Sequence, residues 1–469
     1  MNILLINPSV NHEIRGPHPL KAKDMGQFPH LGLMYISAVL NKTQEFSIKL
    51  IDMALEEIDT TKLMDIICQF KPEVIGITSY TDCLYDIKLI LKSLQDMTLE
   101  TFICMGGPHV ELYPEETLRT FPVNCIIKGD GELAFNELCK NIKHQIPWQN
   151  INGIGYIQKG NYIQNKPWQI TSLDDLPFPE REQSSLKKVQ SAVSTNYNIT
   201  SICSSRGCPF PCTFCNSPYK KYRLRSAENV VSEIKFCYKK YNIQEFFFFD
   251  DLFNLNKNRV IDICNEIDKL DFSINWSFRG RISALDEETI IRSKKSGCNR
   301  IHFGIEAGTQ KMLNCYKKNI TLNEISYICN LCQKHKVEVV ANFMIGGPHE
   351  TYADIKETFK FASEIKPDFI EFHVLIPYPY TEIYRNMIAN KELATDVWKE
   401  FALNPVPNFT PPLIPTTLPE KELFTLLNKA YRNFYLNFWF IFKQLKKIKS
   451  FNILKKYIYL ACRLLKVTT

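Results

Sequence analysis

Three cysteines stand at Cys-x-x-x-Cys-x-x-Cys spacing in the stretch Arg206-Gly207-Cys208-Pro209-Phe210-Pro211-Cys212-Thr213-Phe214-Cys215. Gly207, Pro209 and Pro211 preclude a regular helix there, so the thiols lie on a short loop. The loop leaves a strand-like run around Ile199, Ile202 and Cys203. Thiolates are soft ligands that suit zinc and iron–sulfur clusters. A structural zinc site wants four closed ligands, often as two Cys-x-x-Cys pairs. Here the spacing is too tight for a second pair, and the nearest histidines in sequence are His144 and His302. A 4Fe-4S cube held by Cys208, Cys212 and Cys215 alone keeps one iron without a protein ligand, and that corner can bind a small chelating molecule. Zinc, a disulfide and reduced buried thiols are the competing readings.

The trio, with aromatic Phe214 just before the last cysteine, resembles the signature of radical S-adenosylmethionine (SAM) enzymes. That resemblance implies a catalytic cluster on Cys208, Cys212 and Cys215, with SAM chelating the free iron through its amino and carboxylate groups. The surrounding chain agrees. Residues 199–385 alternate strand and helix six times, with strands at Ile199–Cys203, Glu245–Phe249, Asn275–Phe278, Arg300–Ile305, Glu338–Ile345 and Phe369–Ile376. This predicts a partial (β/α)6 barrel with its site at the carboxyl ends of the strands. Asp250, Arg281, Glu306 and Gly346 follow or end those strands. Carboxylates can hold an ammonium or ribose hydroxyls, and a guanidinium can fork onto a carboxylate. The resemblance suggests SAM-binding roles for Asp250, Arg281, Glu306 and Gly346 beside Phe214. Tyr380 in Pro377-Tyr378-Pro379-Tyr380-Thr381 stands where the family usually has Gly.

Residues 1–145 also alternate, with short apolar runs at Asn2–Asn7, Ile48–Ile51, Val74–Ile77, Phe102–Met105 and Cys125–Ile127. Such runs fit buried parallel strands. Five units predict an α/β, flavodoxin-like doubly wound sheet whose ligand sits beyond the carboxyl ends. Those ends carry Ser9, Thr78, Ser79, Gly106, Gly107, His109, Gly129, Gly131 and Glu132. Small residues there let backbone approach a large flat ligand. The set, with Gly26-Gln27-Phe28-Pro29-His30-Leu31-Gly32, resembles the cobalamin-binding domain that precedes the barrel in one radical SAM subfamily, which includes magnesium-protoporphyrin oxidative cyclases and radical methylases. The Asp-x-His-x-x-Gly motif that supplies a cobalt ligand in many cobalamin proteins is absent. His30 and His109 are axial candidates by position alone, and a vestigial fold holding no cofactor is the bland alternative. No Gly-x-Gly-x-x-Gly follows the first strand, which argues against a dinucleotide.

Residues 146–198 read as a connector, ending in the extended Leu173-Asp174-Asp175-Leu176-Pro177-Phe178-Pro179. Residues 386–469 form a distinct end: proline-rich Pro405–Pro415, then a helical pattern over Pro419–Val467. From Leu423 onward there are ten Lys or Arg and no Asp or Glu, interleaved with aromatics. A basic aromatic helix suits an anionic membrane surface or a barrel-packed helix with a solvated basic face. It is no span, because Lys443, Lys446, Lys447 and Lys449 interrupt it. No nucleic-acid partner is expected.

Across 469 residues, 45% hydrophobic and 23% charged content describe a globular protein of two or three domains with net charge +7. The 16 cysteines with no leader pattern at Met1–Pro8 fit a reduced cytoplasm, with peripheral membrane contact through the tail. Cys329 and Cys332 fall in a helical pattern and read as core; Cys203 is near the cluster but is not counted as a ligand. The resemblance implies reductive cleavage of SAM to a 5′-deoxyadenosyl radical, with electrons from a donor such as flavodoxin or ferredoxin. With cobalamin, it implies methylation of an unactivated carbon of a lipid, tetrapyrrole or other natural product. A radical cyclisation or oxidation without methyl transfer is the alternative. A non-catalytic cobalamin- or metal-binding sensor is a third.

Overall fold

The computed structural model describes residues 1–12, 26–97, 100–182, 186, 189–191, 198–217, 220–415 and 418–445. These fall into two compact units. One is built from Phe28–Val189 with the amino-terminal strand and Thr395–Thr410; the other is built from Gln190–Ala394 with the segment from Pro411 onward.

In the first unit the strands are β1 (Asn2–Asn7), β2 (Ser47–Asp52), β3 (Val74–Thr78), β4 (Phe102–Gly106), β5 (Cys125–Ile127), β6 (Ile154–Gln158) and β7 (Asn161–Gln164). They form one sheet in the order β2-β1-β3-β4-β5-β6-β7. The first five are parallel and β6 and β7 are antiparallel. The parallel part is the expected flavodoxin-like order. Ile3, Leu4, Leu5 and Ile6 are all fully buried, as a strand covered by helices on both faces requires. Residues 146–198 therefore do more than connect: their hairpin lengthens this sheet by two strands. The carboxyl-terminal division shifts as well, because Val397–Leu403, assigned from sequence to the terminal segment, is a helix of the first unit packed on Pro114–Thr120. Its Trp398 and Phe401 close around Phe409. Proline-rich sequence hid that return.

In the second unit β8 (Ile199–Ile202), β9 (Glu245–Phe248), β10 (Asn275–Gly280), β11 (Cys298–Glu306), β12 (Glu338–Ile345) and β13 (Phe369–Val374) form a six-stranded, all-parallel sheet in sequential order. This is the partial barrel. The helices Ala227–Tyr241, Lys257–Ile267, Glu287–Lys295, Leu322–Lys334 and Tyr352–Glu364 begin after Ser226, Asn256, Asp286, Thr321 and Thr351. Each of those side chains accepts a backbone N–H of the first turn, which fixes where the helix starts. Beneath them lies an aromatic layer that includes Phe248, Phe253, Trp276 and Phe278, all fully buried.

The tail departs from the single helix expected over Pro419–Val467. The chain forms Glu420–Tyr435, breaks at Leu436 and Asn437, and resumes as Phe438–Leu445. The first of these helices packs along β13, burying Leu423, Leu427 and Tyr431. Lys446, Lys447, Lys449, Phe451, Tyr457 and Tyr459 lie outside the described residues. Among the described residues no helix is long and apolar enough to cross a membrane.

Candidate active site

The cysteine loop is framed at its base by Ser205–Arg206 pairing antiparallel with Arg223–Leu224. Gly207 turns the chain at φ +91°, in the left-handed region that glycine adopts without penalty, and its N–H donates to Asp251 at 3.1 Å. Farther round, Thr213 binds the loop to the barrel. Its N–H donates to the Tyr316 carbonyl at 3.3 Å, its hydroxyl to the Cys315 carbonyl at 3.1 Å, and its own carbonyl accepts from the Ile383 N–H at 3.1 Å. Phe214 lies edge-on to Tyr316 with ring centroids 5.5 Å apart. The aromatic before the last cysteine thus anchors the loop.

Cys208, Cys212 and Cys215 are free thiols, which removes the disulfide reading. Burial pushes the Cys208 and Cys215 pKa up. Such thiols ionise readily only beside a strong positive charge, which a metal cluster provides. Among the described residues no group of His, Cys, Asp or Glu is gathered tightly enough for a single metal ion. Three thiols on one loop are a donor set that fits a 4Fe-4S cluster.

Arg281 lies against this loop. Its guanidinium carbon is 3.8 Å above the Phe210 ring and Nη1 is 3.9 Å from Cys212 Sγ. Nε donates to Ser283 Oγ at 3.0 Å and Nη2 donates to the Lys318 carbonyl. Glu306 ends β11 with φ +73°, in the left-handed region, beside a register shift between Gly304 and Glu306. A non-glycine residue held there is strained, a feature that clusters at functional sites. Its carboxylate pairs with Lys318 Nζ at 3.0 Å. Lys318 carries no periodic signal, and the sequence reading missed it. Asp250 is fully engaged inside the fold. One oxygen accepts the Ser204 N–H at 2.7 Å, and the other accepts the Ser204 and Ser205 hydroxyls. Burial, foremost, raises its pKa. It anchors the start of the cysteine loop, and the exposed carboxylate at that strand end is Asp251. Gly346 at φ +84° follows β12, and its N–H and that of Gly347 donate to Glu350 at 2.6 and 2.9 Å. Glu350 is the support that sequence reading did not single out. Cys203 donates to the Ser205 carbonyl, and burial raises its pKa to about 12; Cys329 and Cys332 are buried in their helix, as expected of core.

At the carboxyl ends of the first sheet the small residues come together. Gly107 has φ +98°, and a Cβ there would meet Thr78 Oγ1 at 2.7 Å and Ser79 N at 2.8 Å. Ser79 Oγ donates to the Gly106 carbonyl at 2.8 Å, and Ser9 Oγ accepts from Asn11. A Cβ on Gly106 would meet only the Ile127 carbonyl, at 3.8 Å, and one on Gly131 would make ordinary contact with Ile36 at 3.5 Å and Ile127 at 4.0 Å, so neither backbone is crowded. Gly129 instead lies tight against Trp168, and Glu132 is buried. Neither histidine is presented as a cobalt ligand. His109 is wholly buried, with Nδ1 on Thr81 Oγ1 at 3.1 Å, and burial lowers its pKa to about 3. His30 caps helix Leu31–Asn41 by accepting the Leu33 N–H at 3.1 Å, and its Nε2 lies 3.1 Å from Tyr80 Oη. The small residues at these strand ends would suit a large flat cofactor such as cobalamin.

Fold and site together define a chain with a flavodoxin-like cofactor domain joined to a partial barrel that carries a three-thiol loop. Residues 17–139 match the family described as B12 binding domain, and residues 202–362 match the Radical SAM superfamily. An uncharacterised methyltransferase of Pyrococcus horikoshii is 32% identical over 87% of this chain and 88% of its own length. The anaerobic magnesium-protoporphyrin IX monomethyl ester cyclase of Rubrivivax gelatinosus is 23% identical over 93% of this chain and 78% of its own. The solved cobalamin-dependent SAM radical enzyme OxsB, with aqua-cobalamin and SAM bound, superposes with TM-score 0.73 at 18% identity, covering 99% of this chain and 71% of that one. The chain belongs to the radical SAM superfamily, in the group that carries a B12-binding domain before the barrel. It is an enzyme of that family, with SAM, a 4Fe-4S cluster and cobalamin as its cofactors.

Proposed function

We propose that the enzyme transfers a methyl group to an unactivated carbon of a small substrate. The observation that carries this reading is the 32% identity to a methyltransferase over nearly the whole of both chains. When bound, the cluster and SAM supply a 5′-deoxyadenosyl radical and cobalamin supplies the methyl group. The residues of the chain do the holding. Cys208, Cys212 and Cys215 would grip the cluster. Arg281, 3.9 Å from Cys212 Sγ, would take the methionyl carboxylate and Glu306 the ammonium, with Phe214 and Gly346 beside them. Gly106 and Gly131, with Thr78 and Ser79 at the neighbouring strand end, would receive cobalamin. An external one-electron donor of the flavodoxin or ferredoxin type completes the cycle. Phe438, Ile441 and Phe442 are exposed on a basic tail, which supports contact with an anionic membrane surface.

The test is turnover with methyl-labelled SAM under anaerobic conditions. Label in the product is expected. Product without label, formed with 5′-deoxyadenosine, favours the cyclase-like reading, which the similarity to the Rubrivivax gelatinosus enzyme supports. Cys208→Ala, Cys212→Ala and Cys215→Ala should each lose iron and SAM cleavage; a variant keeping both refutes the site.

A further inference from the structure

The helix-free face of the second sheet carries polar groups that the cluster loop does not use. Across β10 and β11 Arg279 is in register with His302; across β11 and β12 Gly304 is in register with Asn342; across β12 and β13 Asn342 is in register with Glu371. In a pleated sheet register partners and every second residue share a face, so Arg279, His302, Asn342 and Glu371 look the same way. The intervening Phe278, Phe303, Phe343 and Phe372 are buried on the other face. That leaves the polar set on the concave side.

Arg279 is the unusual member. Its guanidinium carbon sits 4.2 Å over the Phe249 ring, and among the described residues it makes no side-chain hydrogen bond or ion pair. Its neighbour Arg281 is the opposite case, held by Ser283, Lys318 and Cys212. The side chain of Arg279 is solvent-accessible, yet loss of surrounding water still lowers its pKa, as happens in a concavity. The charges that act on it are Glu371 first and then Asp251, neither within ion-pair distance. Glu371 is likewise desolvated, which raises its pKa, with Arg279 as the opposing influence. His302 is kept neutral, chiefly by burial. Three strand steps separate β10 from β13, about 14 Å along the sheet. The two charges thus share the concave face without pairing. A guanidinium offers five donors in a planar fork that matches an oxyanion, and none of those of Arg279 is taken by a described residue, so the fork is available to a ligand.

We propose that this face is the substrate anchor: Arg279, backed by Phe249, seats a carboxylate or phosphate of the substrate, and Glu371 on the same face takes a hydroxyl or amine of the same molecule. The proposal rests on the radical SAM reading of this barrel and narrows its substrate to oxyanion-bearing molecules.

The test uses the full chain, reconstituted anaerobically, with phenyl phosphate, benzoate and benzyl alcohol as calorimetric probes. At least one of the two anions should bind the unaltered enzyme tenfold or more tightly than benzyl alcohol, and the tighter of the two names the oxyanion. Arg279→Gln should weaken that anion about tenfold or more, and Arg279→Lys should restore part of it. Arg281→Gln should lose SAM affinity and keep the anion. The proposal is overturned if neither anion is preferred, if Arg279→Gln leaves anion binding unchanged, or if that variant loses as much SAM affinity as Arg281→Gln. Failure of the radical reading is seen separately, as absence of 5′-deoxyadenosine from the unaltered enzyme.

Discussion

Tyr431→Phe should loosen the edge of the barrel by an amount that can be worked from two hydrogen bonds. β13 is the last strand of its sheet, so every second N–H and C=O faces away from β12. Tyr431 Oη accepts the Phe372 N–H at 3.1 Å and donates to the Phe372 carbonyl at 3.2 Å. Tyr435 Oη does the same at Ile370, at 3.1 and 2.6 Å. Burial pushes both phenol pKa values up, so both hydroxyls keep their protons and can play both parts. The match is geometric: four residues of helix rise about 6.0 Å and two residues of strand about 6.6 Å. Two tyrosines one helical turn apart therefore stand in for a seventh strand. Removing the Tyr431 hydroxyl strands one buried N–H and one C=O, at about 1–3 kcal/mol for each unsatisfied group. With about 2 kcal/mol as a conservative figure, amide protection should fall ~30-fold, at ~1.4 kcal/mol per factor of ten. Hydrogen exchange read by mass spectrometry on a peptide spanning β13 measures this. Protection within about twofold of the unaltered chain would refute the reasoning.

Three further outcomes are expected. Burial raises the Glu350 pKa from 4.5 to about 7, so between those values the native state holds a proton that the unfolded chain releases. Stability therefore falls as pH rises through that window, by about 3 kcal/mol, and Glu350→Gln should flatten the profile; urea midpoints at about pH 5 and pH 8 check it. Gly347→Ala would drive its Cβ into Tyr316 Oη and to 2.6 Å from Met312 Cε, both in residues with no exposed surface. It should cost about 1–3 kcal/mol and, through the contact of Tyr316 with Phe214, lower iron retention; thermal unfolding and iron per chain are the measurements. Phe438→Ser with Phe442→Ser should reduce cosedimentation with anionic vesicles and leave neutral vesicles unaffected, and unchanged cosedimentation would remove the membrane contact.

Local signals in the sequence were enough for the scaffold. Apolar runs four to eight residues long, separated by helix-length segments, specify parallel strands because both faces must be buried. Cysteine spacing limits the metal chemistry to three thiolates on a loop, since chain stiffness keeps near neighbours together whatever the rest of the fold does. The sequence alone could not decide which polar strand ends face the site. Asp250 and Asp251 are adjacent and alike in sequence, yet one anchors Ser204 and Ser205 while the other takes the Gly207 N–H. His109 and His30 carry no mark of being buried or committed to a cap. Lys318 reaches Glu306, and Tyr431 reaches Phe372, across loops and helices of no fixed pattern. Those pairings are long-range and depend on which face of each element turns inward, and that is settled only when the elements pack.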